Sequence, residues 1–356
     1  MNYIEVFKQL IQQEVSSSSG DKEFVDSLFD QIKERAIETG RILGFSEVDT
    51  ITLKSYFETA KNEYLSVNPI DPGITHSLTK KGFKTWLTRE REQEISWDYS
   101  ERYFRHLEKS GRASKVVRET IGSSYSILSK MADPKSKSPI YNKGLVVGAV
   151  QSGKTGNFNA VINRAIDAGY EIVLVLSGLM EDLRGQTQQR IEKDVIGEGK
   201  IDLGEKTGAK GVGKIKRFGV RGAGDGSGRI VYQVSTITSK EKDFSKSVEK
   251  LDPTLNDKYV LVCKKNVSVL KNIINWLHNS LGEGSDKHNI PLLIIDDEAD
   301  NASLNNMGAK GSEYASKTNG HIRAILGLFH VKSYLGYTAT PFANVLQDRN
   351  EKPNDD

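Results

Sequence analysis

Three short stretches hold the residues whose types and spacing suit phosphate chemistry. The first, Gly148-Ala-Val-Gln151-Ser152-Gly153-Lys154-Thr155, matches the eight-position phosphate-loop pattern without a gap. Gly148 and Gly153 permit a tight turn, containing Gln151 and Ser152, whose successive N–H groups point inward at phosphate oxygens. A helix starting near Lys154 would offer its positive end to the same anion. Lys154 is of a length to reach the β- and γ-phosphates, and Thr155 supplies a hydroxyl for Mg²⁺. These residues predict ATP and Mg²⁺ as ligands.

The second stretch, "PLLIIDDEADNAS", is an apolar run ending in Asp296, Asp297, Glu298 and Asp300. Carboxylates at the C-terminal end of a parallel strand border the crevice in which open α/β sheets bind nucleotides. Asp297 is expected to hold Mg²⁺ through its water shell, and Glu298 to orient and deprotonate the attacking water. Such a concentration of acid is costly unless a cation or partner balances it. The third stretch, "SYLGYTATPFANV", ends an apolar run at Thr338-Ala-Thr340, with Pro341 breaking it. Taken alone it reads as a plain strand end. A phosphate loop does not by itself separate a kinase, a switch and a motor.

These stretches need elements to hold them. From residue 136 to 346 the chain alternates helical segments with short apolar runs: "LVVGAV", "EIVLVLSG", "RIVYQVS", "YVLVCK", "PLLIIDDE" and "SYLGYTAT". Runs of Val, Ile and Leu without polar alternation suit strands buried on both faces. Alternation with helices predicts an α/β domain with a mostly parallel sheet. Residues 1–135 carry helical periodicity, as at Ile4, Phe7, Leu10 and Ile11, and are expected to form an all-helical accessory or docking domain. Residues 197–229 are rich in glycine and basic residues and read as a surface loop or as an arm touching nucleic acid through Lys210, Lys214, Lys216, Arg217 and Arg221. Residues 347–356 form a polar tail.

Composition narrows the class. Of the 356 residues 27% are charged, and the net charge of +3 neither demands nor excludes nucleic acid. Cys263 is the only cysteine, which rules out a disulfide framework and a cysteine-based zinc site. His278, His288, His321 and His330 show no metal spacing. The N-terminus lacks the basic start and apolar block of a signal peptide, and no run is long and apolar enough for a membrane span. A cytoplasmic protein is expected.

In this order the three stretches resemble motifs I, II and III of superfamily 2 helicases, with motif II reading Asp-Glu-Ala-Asp at Asp297 to Asp300. A closer resemblance runs from about residue 133 to 346. "KGLVVGAVQSGKTGNF", "DAGYEIVLVLSGLMEDLRGQTQQRI", "KYVLVCKKNVSVLKNIINWL", "LLIIDDEADNAS" and "GYTATPFANV" look like the N-terminal, helicase-like part of bacterial Z1-domain proteins. The resemblance implies a RecA-like P-loop ATPase lobe of a restriction-type or phage-defence system, with DNA and further proteins as partners. It implies that Asp300, Thr338 and Thr340 couple nucleotide state to nucleic-acid grip. It puts Arg184, Gln186, Thr187 and Arg190 where helicases contact the nucleic-acid backbone, with Lys264 and Lys265 as weaker cases. A second RecA-like lobe, which supplies an arginine finger, and the Z1 domain itself would follow this chain, so weak or absent turnover is expected in isolation. The alternative from another class is a nucleotide-dependent switch that recruits protein partners without translocation.

Overall fold

Every one of the six apolar runs contributes a strand, and the six strands form one sheet. The computed structural model describes residues 2–16, 22–67, 78–147, 154–202, 205–214, 234–245, 258–281, 285–297, 299 and 308–338. Among them, in chain order, lie helices α1 (Tyr3–Ser16), α2 (Lys22–Ile42), α3 (Thr50–Val67), α4 (Arg89–Gln93), α5 (Asp98–Lys109) and α6 (Ser114–Leu128). Strand β1 (Ile140–Val147), α7 (Lys154–Ala168), β2 (Ile172–Ser177) and α8 (Glu181–Ile191) follow, then a π-helical turn (Glu192–Ile196). The remainder is β3 (Glu198–Asp202), β4 (Glu205–Ala209), β5 (Val234–Ser235), β6 (Lys258–Lys264), α9 (Val267–Asn279), β7 (Leu292–Asp297), α10 (Gly308–Gly327) and β8 (Val331–Thr338).

The large sheet has the order β1-β8-β7-β2-β6-β5. All its pairings are parallel. Alternate residues of each strand enter two different cores, as the twofold period of a strand requires. Val173, Val175, Val260, Val262, Leu293, Ile295, Leu335 and Tyr337 pack with Phe158, Val161, Ile162 and Ala165 of α7. Ile172, Leu174, Leu176, Leu261, Leu292 and Ile294 pack with Leu270, Ile273 and Trp276 of α9 and Ile322, Ile325 and Leu326 of α10. The result is an α/β fold with helices on both faces, which is why the strands read as unbroken apolar runs.

Local signals set the helix ends. Asn266 caps α9, its side chain accepting from the Val269 N–H at 2.9 Å. Gly169, at φ +120°, follows α7 in a conformation that side chains disfavour. Asp167, near the C-terminus of α7, accepts the N–H groups of Tyr99 and Ser100 at 2.9 Å and the Ser100 hydroxyl at 2.7 Å. It thereby satisfies the otherwise unpaired N-terminal donors of α5.

The chain divides into two compact units. One comprises residues 1–79, 107–123 and 151–157, and the other residues 80–106, 124–150 and 158–356. In the first, Phe7, Ile11, Leu28, Ile32 and Phe57 form a core of α1, α2 and α3, with the Phe7 and Phe57 rings edge-on at 5.6 Å. The expected boundary near residue 135 shifts as a result. Leu87, Ile95, Tyr99, Leu128 and Met131 lie in the same core as β2, β7 and α7, so much of the helical sequence after residue 80 belongs with the sheet. Helical periodicity marks a buried stripe but does not say against what it packs.

The glycine-rich insertion also departs from expectation. β3 and β4 pair antiparallel as a separate ribbon. Its base is closed by the Lys210 N–H bonded to the Gly197 carbonyl at 2.8 Å and by the Lys210 ammonium 3.4 Å from the buried Glu192 carboxylate. Lys210 thus ties down the base of the ribbon while its side chain stays 43% exposed, and Lys216, Arg217 and Arg221 and the side chain of Lys214 lie outside the described residues. Among the described residues no helix is long and apolar enough to cross a membrane.

Candidate functional site

The motif-bearing strands are neighbours. β8 lies between β1 and β7, and because all three run parallel their C-terminal ends share one sheet edge. β1 ends at Val147 and α7 begins at Lys154. Gly148, Gln151, Ser152 and Gly153 lie outside the described residues, as do Glu298, Asp300 and Thr340 and the side chains of Lys154 and Thr155. α7 packs on one sheet face and α10 on the other. The helices that follow β1 and β7 in the chain thus lie on opposite faces of the sheet.

Register separates the two aspartates at the end of β7. Val146, Tyr337, Asp297, Ser177 and Lys264 form one row across β1, β8, β7, β2 and β6. Val146 and Tyr337 belong to the α7 side, and the Tyr337 ring stands edge-on to Phe158 of α7 at 5.7 Å. Asp297 therefore faces the side of the helix that follows the phosphate-loop sequence. It is partly exposed at the strand end. Burial raises the Tyr337 hydroxyl pKa, and the neighbouring Asp297 charge raises it further.

The preceding row, Leu145, Gly336, Asp296, Leu176 and Cys263, faces the opposite core. Asp296 is 1% exposed and sits 2.6 Å from the Lys265 ammonium. It also accepts the Tyr334 hydroxyl at 2.6 Å. Burial and the Asp296 charge both raise the Tyr334 pKa. Asp296 is thus committed to a buried network, and Lys265, expected near the nucleic-acid backbone, is instead its counter-ion.

The turn after β7 is held onto β8. The Ala299 N–H donates to the Tyr337 carbonyl at 2.9 Å, and Thr338, the last residue of β8, is buried. Gly336 makes room for this turn, since a Cβ there would lie 2.9 Å from Ala299 Cβ and 3.3 Å from a Leu145 methyl. Ala299 is therefore in direct contact with β8 through Tyr337, the residue before Thr338.

Two helix α8 residues require correction. Arg184 is 0% exposed, and its guanidinium bonds the Glu181 carboxylate at 2.6 Å and the Lys240 carbonyl at 2.6 Å. It clamps the helix start to the segment after β5 and does not present itself to a phosphate backbone. Thr187 is buried on the same face. Gln188, one position on, donates to the Thr238 carbonyl at 2.9 Å and accepts the Thr238 hydroxyl at 2.8 Å. This inward stripe at 184, 187, 188 and 191 has helical spacing but is largely polar, so hydrophobic periodicity does not reveal it. Gln186 and Arg190 are exposed. Lys264 pairs with Glu181 at 2.5 Å.

Ser177 went unnoticed in the sequence. It ends β2 directly beside Asp297, is 2% exposed, and its hydroxyl has no hydrogen-bond partner. His288 is structural, stacked on Phe329 at 4.9 Å with Nε2 2.8 Å from the Leu277 carbonyl oxygen. Among the described residues no group of three or more His, Cys, Asp or Glu side chains forms a metal cluster. A single carboxylate with hydroxyls suits an ion that keeps most of its water, as Mg²⁺ does, and Asp297 beside an orphaned buried hydroxyl fits that donor set. No protein-family model matches the chain, and no curated protein matches it.

Proposed function

We propose that this chain is the nucleotide-binding lobe of a RecA-like, helicase-type ATPase that acts on nucleic acid in the manner expected of Z1-domain proteins. The observation that carries the reading is the row at the sheet edge. The strand entering the phosphate-loop sequence, the strand ending in Thr338 and the strand ending in Asp297 are adjacent and parallel, and Asp297 is on the α7 side. Lys154 and Thr155 would hold the nucleotide phosphates and Mg²⁺ from the start of α7, and Asp297 would hold the shell of the ion from β7. When bound, Mg²⁺ neutralises charge developing on the transferred phosphoryl group. Glu298, next along the same turn, is the residue of a type to orient and deprotonate water.

The contact between the Ala299 turn and β8 supports a coupling role for Asp300, Thr338 and Thr340, because a shift at one motif must be felt at the other. With Arg184 and Thr187 turned inward, Gln186 and Arg190 remain as the α8 candidates for a nucleic-acid backbone.

The nucleic-acid claim is tested by ATP turnover, with and without single- and double-stranded DNA, of this chain joined to the second RecA-like lobe that the resemblance implies, with Lys154→Ala as control. Saturable stimulation by DNA, lost in Lys154→Ala, is expected. Turnover that is indifferent to both kinds of DNA would remove the motor reading and leave a nucleotide-dependent switch.

A further inference from the structure

Ser177 Oγ is one of seven buried side-chain polar atoms without a hydrogen-bond partner among the described residues, and its residue is the register neighbour of Asp297 at the strand end. A buried hydroxyl without a partner is costly to fold, and native proteins rarely leave one unless something else completes it. The row position says where the completion comes from. Ser177 is the register partner of Asp297 on one side and of Lys264 on the other. Lys264 is drawn away to Glu181 at 2.5 Å, so the ammonium does not serve the hydroxyl. Like Val173 and Val175, Ser177 alternates onto the α7 side of the sheet, the side shared by Asp297.

We propose that Ser177 is a positioning residue whose hydroxyl hydrogen-bonds the water shell of the Mg²⁺ held by Asp297. The inference rests on the Mg·ATP reading above and names a part of that site beyond the three motifs. A hydroxyl is suited to the task because it can donate to the Asp297 carboxylate or accept from a metal-bound water, whichever orientation the shell requires. Outer partners of this kind fix where an ion's ligands and waters point.

The test is Ser177→Ala, read three ways on the full chain. Thermal stability without nucleotide is expected to stay the same or rise, because the substitution removes an unpaired buried hydroxyl. Affinity for a fluorescent ATP analogue in EDTA is expected to be unchanged. The Mg²⁺ concentration at half-saturation of nucleotide binding is expected to rise about 10-fold, the lower end of what such outer partners contribute. A loss of nucleotide-free stability would show that the hydroxyl has a structural partner and would overturn the proposal, as would an unshifted Mg²⁺ midpoint. If wild type itself shows no Mg²⁺-dependent nucleotide binding, the parent reading falls first. If wild type binds and Ser177→Ala binds identically, only the Ser177 proposal falls.

Discussion

Two adjacent carboxylates at the end of β7 have opposite fates because a strand turns successive side chains to opposite faces. Asp297 faces the α7 side, whereas Asp296 is buried against Lys265 and Tyr334. Their amide variants should therefore fail differently. Asp297→Asn should raise the Mg²⁺ midpoint of nucleotide binding at least ~10-fold with little change in unfolding free energy. Asp296→Asn leaves a buried ammonium without its counter-charge and should cost about 3–5 kcal/mol in denaturant unfolding. Similar losses from both variants would contradict the register argument. Asp167 gives a separate residue-scale prediction. Burial pushes its carboxyl up to about 7, against the three hydrogen bonds that favour ionisation. A raised carboxyl pKa means that the native state binds the proton more tightly than the unfolded chain. The associated penalty is absent below the unfolded value near 4, grows as pH rises, and is complete above about 7. Asp167→Asn should flatten this fall in stability between pH 4 and 7 in denaturant titrations. An unchanged slope would show that Asp167 does not titrate there.

At the scale of elements, the end of β7 is held from three sides: Lys265 after β6, Tyr334 in β8, and the Ala299 N–H on the Tyr337 carbonyl. Replacing the whole network by apolar groups in Lys265→Met/Asp296→Leu/Tyr334→Phe, which also removes the hydroxyl that Asp296 accepts, should recover most of the stability lost by either charge deletion alone, since well-packed apolar groups substitute well for buried ion pairs. Absence of recovery would mean that the two charged residues do not act as a pair. Gly336→Ala should cost about 1–3 kcal/mol, because the added methyl meets Ala299 across the strand. It should also weaken nucleotide binding, since Ala299 follows Asp297 by two residues. Wild-type binding in a destabilised Gly336→Ala protein would separate the turn from the site. The strands themselves were legible in sequence, because six apolar runs can be read without knowing their order. Their order and register were not legible. Nothing in "VLVLS" says that Ser177 will stand beside Asp297, and nothing in "CKK" says that Lys265 will turn under Asp296. Those are pairings between segments far apart in the chain, fixed by the way the helices cross the sheet. Arg184 was misread for a related reason: its polar neighbours on α8 form an inward face that propensity assigns to solvent.

At the scale of the molecule, the helical N-terminal sequence was legible as helix but not as a boundary. Part of it packs with the sheet, while α1, α2 and α3 enclose a core of their own. All three tryptophans, Trp86, Trp97 and Trp276, belong to the unit that contains the sheet, so their fluorescence reports on that unit. Ligand binding to the native state must raise its stability by mass action, roughly 2.7 kcal/mol at a hundredfold excess over Kd. Mg·ATP should therefore move the tryptophan-detected transition upward, and EDTA should abolish the Mg²⁺-dependent part of the shift. The most direct measurement of the central claim is a calorimetric titration of Mg·ATP into the purified chain, repeated with Lys154→Ala and Asp297→Asn. One saturable site is expected in wild type, lost in Lys154→Ala and weakened in Asp297→Asn only when Mg²⁺ is present. No saturable binding, or binding that both variants retain unchanged, would contradict it.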